Sequence, residues 1–156
     1  MKLLVCSDSH GSRRRLCEIL EKECPDAFYF LGDGLRDAEY AAGRYPQMAF
    51  LAVTGNCDYR SDGGPEDWLT EVEGVRIYLC HGHLFGVKSG LSRLERRGRD
   101  LGAQLVLFGH THRPYLQGAD GVMLLNPGSV GEGLRSSYAV VSLTGGGKFT
   151  CQLLSL

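Results

Sequence analysis

The sequence lacks any apolar run close to the ~20 residues that span a bilayer, so a membrane-spanning helix is excluded as an expectation. It also lacks an excess of charge of one sign. Lys and Arg total 17, Asp and Glu 18, and the net charge is −1, so no basic surface for nucleic acid or anionic lipid is expected. The opening MKLLVCSDSH has no secretory core. Its apolar run stops after about four residues and meets Asp8, whereas a signal needs roughly 7–15. A first strand and a cytoplasmic location are the expectation. None of the six cysteines forms a C-x-x-C pair, which argues against a zinc knuckle, and without a secretion signal a disulfide framework is not expected. The triple glycine in TGGGK is not a P-loop, since G-x-x-x-x-G-K-[ST] is absent. There are no repeats, low-complexity tracts or linkers, and 156 residues predict one domain, 1–156, with a core of its own.

What is present is a series of short apolar runs, each ending in glycine or polar residues. Leu3–Cys6 ends at SDSHG, Phe28–Leu31 at GDG and Met48–Val53 at TGNCD. Val75–Cys80 ends at HGH, Leu105–Phe108 at GHTH and Val122–Leu125 at NPGS. Tyr138–Leu143 and Phe149–Leu154 flank TGGGK and predict a hairpin. Helices fit between strands. Ser12 is a candidate cap for a helix with Leu16, Ile19 and Leu20 on its apolar face. Leu35, Ala38 and Ala42 suggest a second helix ending near Gly43. Val87, Leu91, Leu94, Gly98 and Leu101 form one helical stripe, with Arg93, Arg96, Arg97 and Arg99 facing away. Strand–helix alternation followed by a strand-rich tail predicts a layered α/β fold with a parallel section.

The polar residues at these strand ends are Asp8, His10, Asp33, Asn56, Asp58, His81, His83, His110 and His112. They include all five histidines of the chain. Functional groups collect beyond the carboxyl ends of strands in such sheets. Asp8 with His10, His81 with His83, and His110 with His112 are i,i+2 pairs, which point the same way in an extended segment. Each piece alone reads as an ordinary turn or a hydrogen-bonded histidine, and the two histidine pairs alone could form a pH-sensitive surface. Together, imidazoles and carboxylates from five strand ends need something positive between them. A metal cation supplies it, and the donors outnumber what one tetrahedral ion takes. Two ions about 3.5–4 Å apart, sharing a carboxylate, fit better.

In this order the motifs DSH (Asp8–His10), GD (Gly32–Asp33), GNCD (Gly55–Asp58), HGH (His81–His83), GHTH (Gly109–His112) and NPGSV (Asn126–Val130) resemble the calcineurin-like metallophosphoesterases, in particular the short bacterial and archaeal phosphodiesterases. The resemblance implies a four-layer α-β-β-α sandwich of two mixed sheets flanked by helices. It implies that Asp8, His10, Asp33 and His112 bind one divalent ion, and that Asn56, His81 and His110 bind a second, with Asp33 bridging. Mn²⁺ is the foremost candidate, with Ni²⁺, Fe²⁺, Zn²⁺ or Mg²⁺ as others. Asn56 and His83 would meet the substrate phosphate, His83 alternatively orienting a ligand or a loop. Asp58 and Cys57 would stand behind the ligands, and NPGS would form a turn beneath the site. The implied activity is hydrolysis of a small phosphodiester or other phosphate ester by in-line attack of a metal-bridging hydroxide. A homodimer is compatible with this branch.

One position departs from larger relatives. Cys57 stands where they carry a histidine able to protonate the leaving group, and a thiol titrating near ~8.5 is a poor substitute. Arg13, Arg14 and Arg15, just after the first motif, are a solvated helix start or a gatherer of anionic substrate. Thiol catalysis by Cys80 and His81 is disfavoured, because neighbours on a strand face opposite ways. The main rival is a protein-binding scaffold of the same fold, as in a retromer coat subunit whose ligand set is incomplete; here the set is complete. A metallo-β-lactamase type would need H-x-H-x-D-H, which neither HTHRPY nor HGHLFG provides. A DNA nuclease of the family would need an extra capping or DNA-binding domain.

Overall fold

A computed structural model describes residues 1–58, 63–131 and 136–156. Two five-stranded mixed sheets lie face to face. In the first, β1 (Lys2–Cys6), β2 (Ala27–Phe30) and β3 (Ala49–Ala52) run parallel, joined through α1 (Arg13–Glu23) and α2 (Leu35–Ala42). The second holds β4 (Asp67–Val72), β5 (Val75–Cys80), β6 (Leu105–Leu107), β7 (Tyr115–Ala119) and β8 (Val122–Asn126), in the order β4-β5-β6-β8-β7. Here β5, β6 and β8 are parallel, and α3 (Ser92–Asp100) bridges β5 and β6. The hairpin of β9 (Ser137–Gly145) and β10 (Lys148–Ser155) returns to the first sheet, where β9 pairs antiparallel with β1.

Alternation along the strands sets the layers. Leu3 and Val5 point between the sheets, where they meet Ile77, Leu79, Leu105 and Leu107. Leu4, Cys6, Phe28 and Phe30 point the other way and are covered by Leu16, Ile19, Leu20, Ala38 and Ala41 of α1 and α2. On the far side Tyr78, Cys80, Val106 and Phe108 are covered by Leu94 and Val87. The result is the expected four-layer sandwich, with buried cysteines Cys6, Cys17 and Cys80 packed as small apolar residues.

Three local expectations are corrected. Strands β4 and β7 were not expected. Both are sheet edges, and their sequences DWLTEV and YLQGA carry polar residues or glycine where interior strands carry aliphatics. Ser12 occupies the cap position of α1 but makes no side-chain capping bond; Asp37 accepts the nearby Gly11 N–H at 2.7 Å instead. The third helix starts at Ser92 rather than near Val87, because Gly86 (φ 64°) and Gly90 (φ 153°) break the helical path while Val87 still packs in the same cluster.

Gly98 of α3 is seated directly on β6. A Cβ there would lie 2.6 Å from Val106 Cγ2 and 3.3 Å from Val122 Cγ1. Gly98→Ala should therefore forfeit the ~1 kcal/mol that alanine normally gains in a helix. Overpacking costs ~1–3 kcal/mol, so a net loss near ~1 kcal/mol is expected in urea unfolding. A gain in stability would contradict this contact.

Candidate metal centre

The parallel strands of both sheets send their carboxyl ends to one edge, and the donors sit there. Asp8 and His10 follow β1, Asp33 follows β2, His81 follows β5, and His110 and His112 follow β6. Backbone bonds lace the loops together. Asp8 N–H donates to Gly32 O (2.9 Å), His10 N–H to Asp33 O (3.1 Å), and Gly109 N–H to His81 O (2.9 Å). The i,i+2 pairing has a different origin from the extended geometry expected. Asp8, His10, Asp33, His110 and His112 all have positive φ, between 43° and 67°. Asp and His tolerate this region better than most residues, yet such strain is uncommon and tends to gather at functional sites. The loops also approach too closely for larger residues: a Cβ on Gly55 would collide with Asp33 Oδ1 and lie 2.5 Å from the Asp33 nitrogen.

Among the described residues, two of the groups of donor atoms whose members all lie within 4.8 Å of one another are Asp8, His10 and His112, and Asp33, His81 and His110. Asp8 Oδ1 lies 3.1 Å from His112 Nε2 and 3.8 Å from His10 Nε2. Asp33 Oδ2 lies 3.4 Å from His81 Nε2 and 3.8 Å from His10 Nε2, so it stands between the groups. The residues fit divalent ions on an independent observation. Asp8 Oδ1 and His81 Nε2 are buried and make no hydrogen bond, an arrangement costly unless a cation satisfies both. His81 Nδ1 lies 2.7 Å from Leu31 O, so that nitrogen carries the proton and Nε2 presents a lone pair.

The donors also perturb one another's ionisation. Burial pushes the Asp8 carboxyl above the ordinary carboxylate range. Burial opposes ionisation of Asp33 too, but His81 and the Cys57 N–H hold it well below that range. Burial alone would lower His81, yet Asp33 and Asp8 hold it above the usual histidine value. Burial, with His81 and Lys88 nearby, pulls His110 down to about 4, so it is neutral at pH 7.

Behind the donors lies a set of buried polar contacts. The Asp58 carboxylate accepts four backbone N–H groups, from Asp33, Gly34 and Gly55 at 2.8 Å and Leu35 at 2.9 Å. It thereby ties GD to GNCD and sits at the positive end of α2. Asn126 Nδ2 donates to Gly109 O (2.8 Å) and Thr111 Oγ1 (3.1 Å), holding GHTH in place. Ser129 Oγ donates to Asp8 O at 2.8 Å, so NPGS braces two donor loops. Ser7 donates to Asp8 Oδ2, which leaves Oδ1 as the oxygen facing the imidazoles. Asp37 accepts Ser9 Oγ (2.8 Å) besides Gly11 N–H. Sequence reasoning did not single out Ser7, Asp37 or Ser129; each is a common polar residue whose partner lies on the backbone or another loop.

The remaining candidates lie at the rim. Asn56 is exposed, with its Nδ2 3.3 Å from Cys57 Sγ. Asn56 and His83 line one cavity of about 560 Å³ together with Glu66 and Leu84. The His83 ring is centred 5.4 Å from that of His81, and its buried Nδ1 has no hydrogen-bond partner. Arg13, Arg14 and Arg15 have other partners: the Tyr40 ring, Glu18, and Val130 O with Ser136 respectively. Cys80 packs under α3 while His81 faces the donors, so they do not pair.

The calcineurin-like phosphoesterase superfamily domain matches residues 1–146, and the chain belongs to that superfamily. It is 34% identical over 131 residues to the probable metallophosphoesterase YsnB of Bacillus subtilis, covering 83% of this chain and 75% of YsnB. It is 33% identical over 153 residues to the phosphodiesterase YfcE of Escherichia coli, covering 83% of this chain and 79% of YfcE. The fold is shared with a predicted phosphoesterase from Streptococcus pneumoniae at TM-score 0.77 and 26% identity, over 99% and 97% of the two chains. It is shared also with vacuolar protein sorting 29 from Cryptosporidium parvum at TM-score 0.76 and 18% identity, over 99% and 97%. The resemblance read from the motifs thus holds, and the chain falls among metal-dependent phosphoesterases. Among the described residues no helix is long and apolar enough to cross a membrane.

Asp58→Ala would strip four N–H groups of their acceptor. At ~1–3 kcal/mol for each group left unsatisfied, with water relieving some, a loss of about 3–5 kcal/mol is expected in urea unfolding. Asp58→Asn should lose less, since its carbonyl oxygen still accepts. A neutral Asp58→Ala would refute the bracing role.

Proposed function

We propose that this protein is a dinuclear metal-dependent phosphodiesterase that hydrolyses a small phosphate ester in line. The observation that carries the reading is the convergence of two donor groups on Asp33, with Asp8 Oδ1 and His81 Nε2 buried and unpartnered. Asp8, His10, Asp33 and His112 would hold one ion, and Asp33, Asn56, His81 and His110 the other. Mn²⁺ is the first ion to test, beside Ni²⁺, Fe²⁺, Zn²⁺ and Mg²⁺. Two bound divalent ions supply Lewis acidity, lowering the pKa of water toward ~7 and neutralising phosphoryl charge.

The chain's residues divide the remaining work. Asp33 contributes one carboxylate to both positions, so its charge is shared. His81 keeps its tautomer through the Leu31 carbonyl. Asn56 contributes a neutral oxygen and leaves the positive charge of its ion undiminished. His83, on the wall of the neighbouring cavity, orients the ester through Nε2, since its Nδ1 is buried. The scaffold reading draws on the shared fold of vacuolar protein sorting 29, but a donor set this complete favours the enzyme.

The test is hydrolysis of a nitrophenyl phosphodiester beside its monoester, by metal-stripped protein given Mn²⁺, Ni²⁺, Mg²⁺ or Zn²⁺. Metal-dependent turnover favouring the diester is expected, and Asp33→Asn should abolish it while the variant stays folded by circular dichroism. Full turnover in Asp33→Asn would end the bridging assignment.

With Cys57 in place of an imidazole acid, turnover should depend steeply on the leaving group. Removing a general acid typically costs ~10²–10⁴ in rate, so alkyl diesters should lag aryl diesters by about that margin. A flat dependence on leaving-group pKa, with activity lost on the basic limb as a group that binds no metal gives up its proton, would show that another acid acts.

A further inference from the structure

Cys57 has contacts that a bystander at the rim would not need. Its donor atom lies within 4.8 Å of those of both His10 and Asp33, a third convergent group beside the two already described. Its backbone N–H donates to Asp33 Oδ1 at 2.8 Å, which fixes the residue against the shared carboxylate. Of the two donor residues near its sulphur, Asp33 stands between the groups and His10 belongs to the group containing the unpartnered Asp8 Oδ1. The group of Asp33, His81 and His110 contains no sulphur.

We propose that Cys57 Sγ is a ligand of the first ion, the one held by Asp8, His10, Asp33 and His112, so that the two positions differ in chemistry. The inference rests on the dinuclear reading above and adds a soft donor to one half of it. Thiolate favours Zn²⁺, Co²⁺ or Fe²⁺, whereas carboxylate, carbonyl and water oxygen suit Mn²⁺ and Mg²⁺. The first position therefore selects a thiophilic ion, and the second, built from imidazole, carboxylate and the Asn56 amide, accepts a harder one. On binding, the S–H bond breaks, the proton passes to solvent, and the sulphur lone pair bonds the cation. Cys57 is exposed, so the proton has a direct path out.

The experiment is a Co²⁺ titration of metal-stripped protein followed by absorption. Co²⁺ held by imidazole and carboxylate gives visible d–d bands; a sulphur ligand adds a near-ultraviolet charge-transfer band. The wild type should show both, and Cys57→Ser should keep the visible bands and lose the charge-transfer band. Competition titrations should show Zn²⁺ affinity falling roughly 10–100-fold in Cys57→Ser, the scale set by loss of a ligand's partner, with Mn²⁺ affinity nearly unchanged. Bound Zn²⁺ should also shield Cys57 from iodoacetamide, while the exposed Cys24 stays reactive. Visible bands without a charge-transfer band, or a band that survives in Cys57→Ser, would overturn the proposal and leave the dinuclear centre standing. Equal loss of Zn²⁺ and Mn²⁺ affinity with no band would make Cys57 a positioning residue and overturn it likewise. No Co²⁺ bands at all would remove both readings.

Discussion

Everything at this edge of the sandwich follows from placing two carboxylates out of water. Asp8 is 0% exposed and Asp33 is 3% exposed. Carboxylates so deeply buried lose their hydration. The surrounding protein answers only part of that cost. Ser7 and the His110 N–H engage one oxygen of Asp8, and the Cys57 N–H engages one oxygen of Asp33. One oxygen of each remains turned inward toward imidazole nitrogens. The neighbouring histidine is drawn toward its charged form as a result. A site arranged in this way is incomplete as an all-protein structure and complete once positive charge enters.

The sandwich itself was legible to the extent that its strands are interior. Leu3–Cys6, Val75–Cys80 and Leu105–Leu107 have neighbours on both sides and apolar layers on both faces, so they are written, Arg76 apart, in apolar residues. Edge strands obey a weaker constraint. Trp68 and Leu69 of β4 are exposed, and its other residues alternate without a clean pattern, so periodicity had nothing to detect. The stripe from Val87 to Leu101 reads as one helix because spacing reports which face is buried. It does not report that two glycines turn the chain before Ser92.

The donors were legible for a chemical reason. Imidazole is scarce in this chain and has few structural uses at successive strand ends. The bracing residues are the opposite case. Asn126 and Ser129 act on backbone groups of Gly109 and Asp8, 17 and 121 positions away, and nothing in their local sequence marks those partners. Asp58 was expected to stand behind the ligands. That one carboxylate would collect four N–H groups from two loops depends on how tightly Gly32 and Gly55 are pressed together, which only the fold reveals.

Asp8, His10 and Asp33 hang from one sheet, and His81, His110 and His112 from the other. An ion held between them is a cross-link between layers otherwise joined at that end by a few loop hydrogen bonds. Such a cross-link exists in the native state alone, so it adds RT ln(1 + [ion]/Kd) to the free energy of unfolding. The melting temperature of this domain then becomes a meter of free divalent ion. A cell that withholds the ion would lower the protein's persistence as well as its turnover.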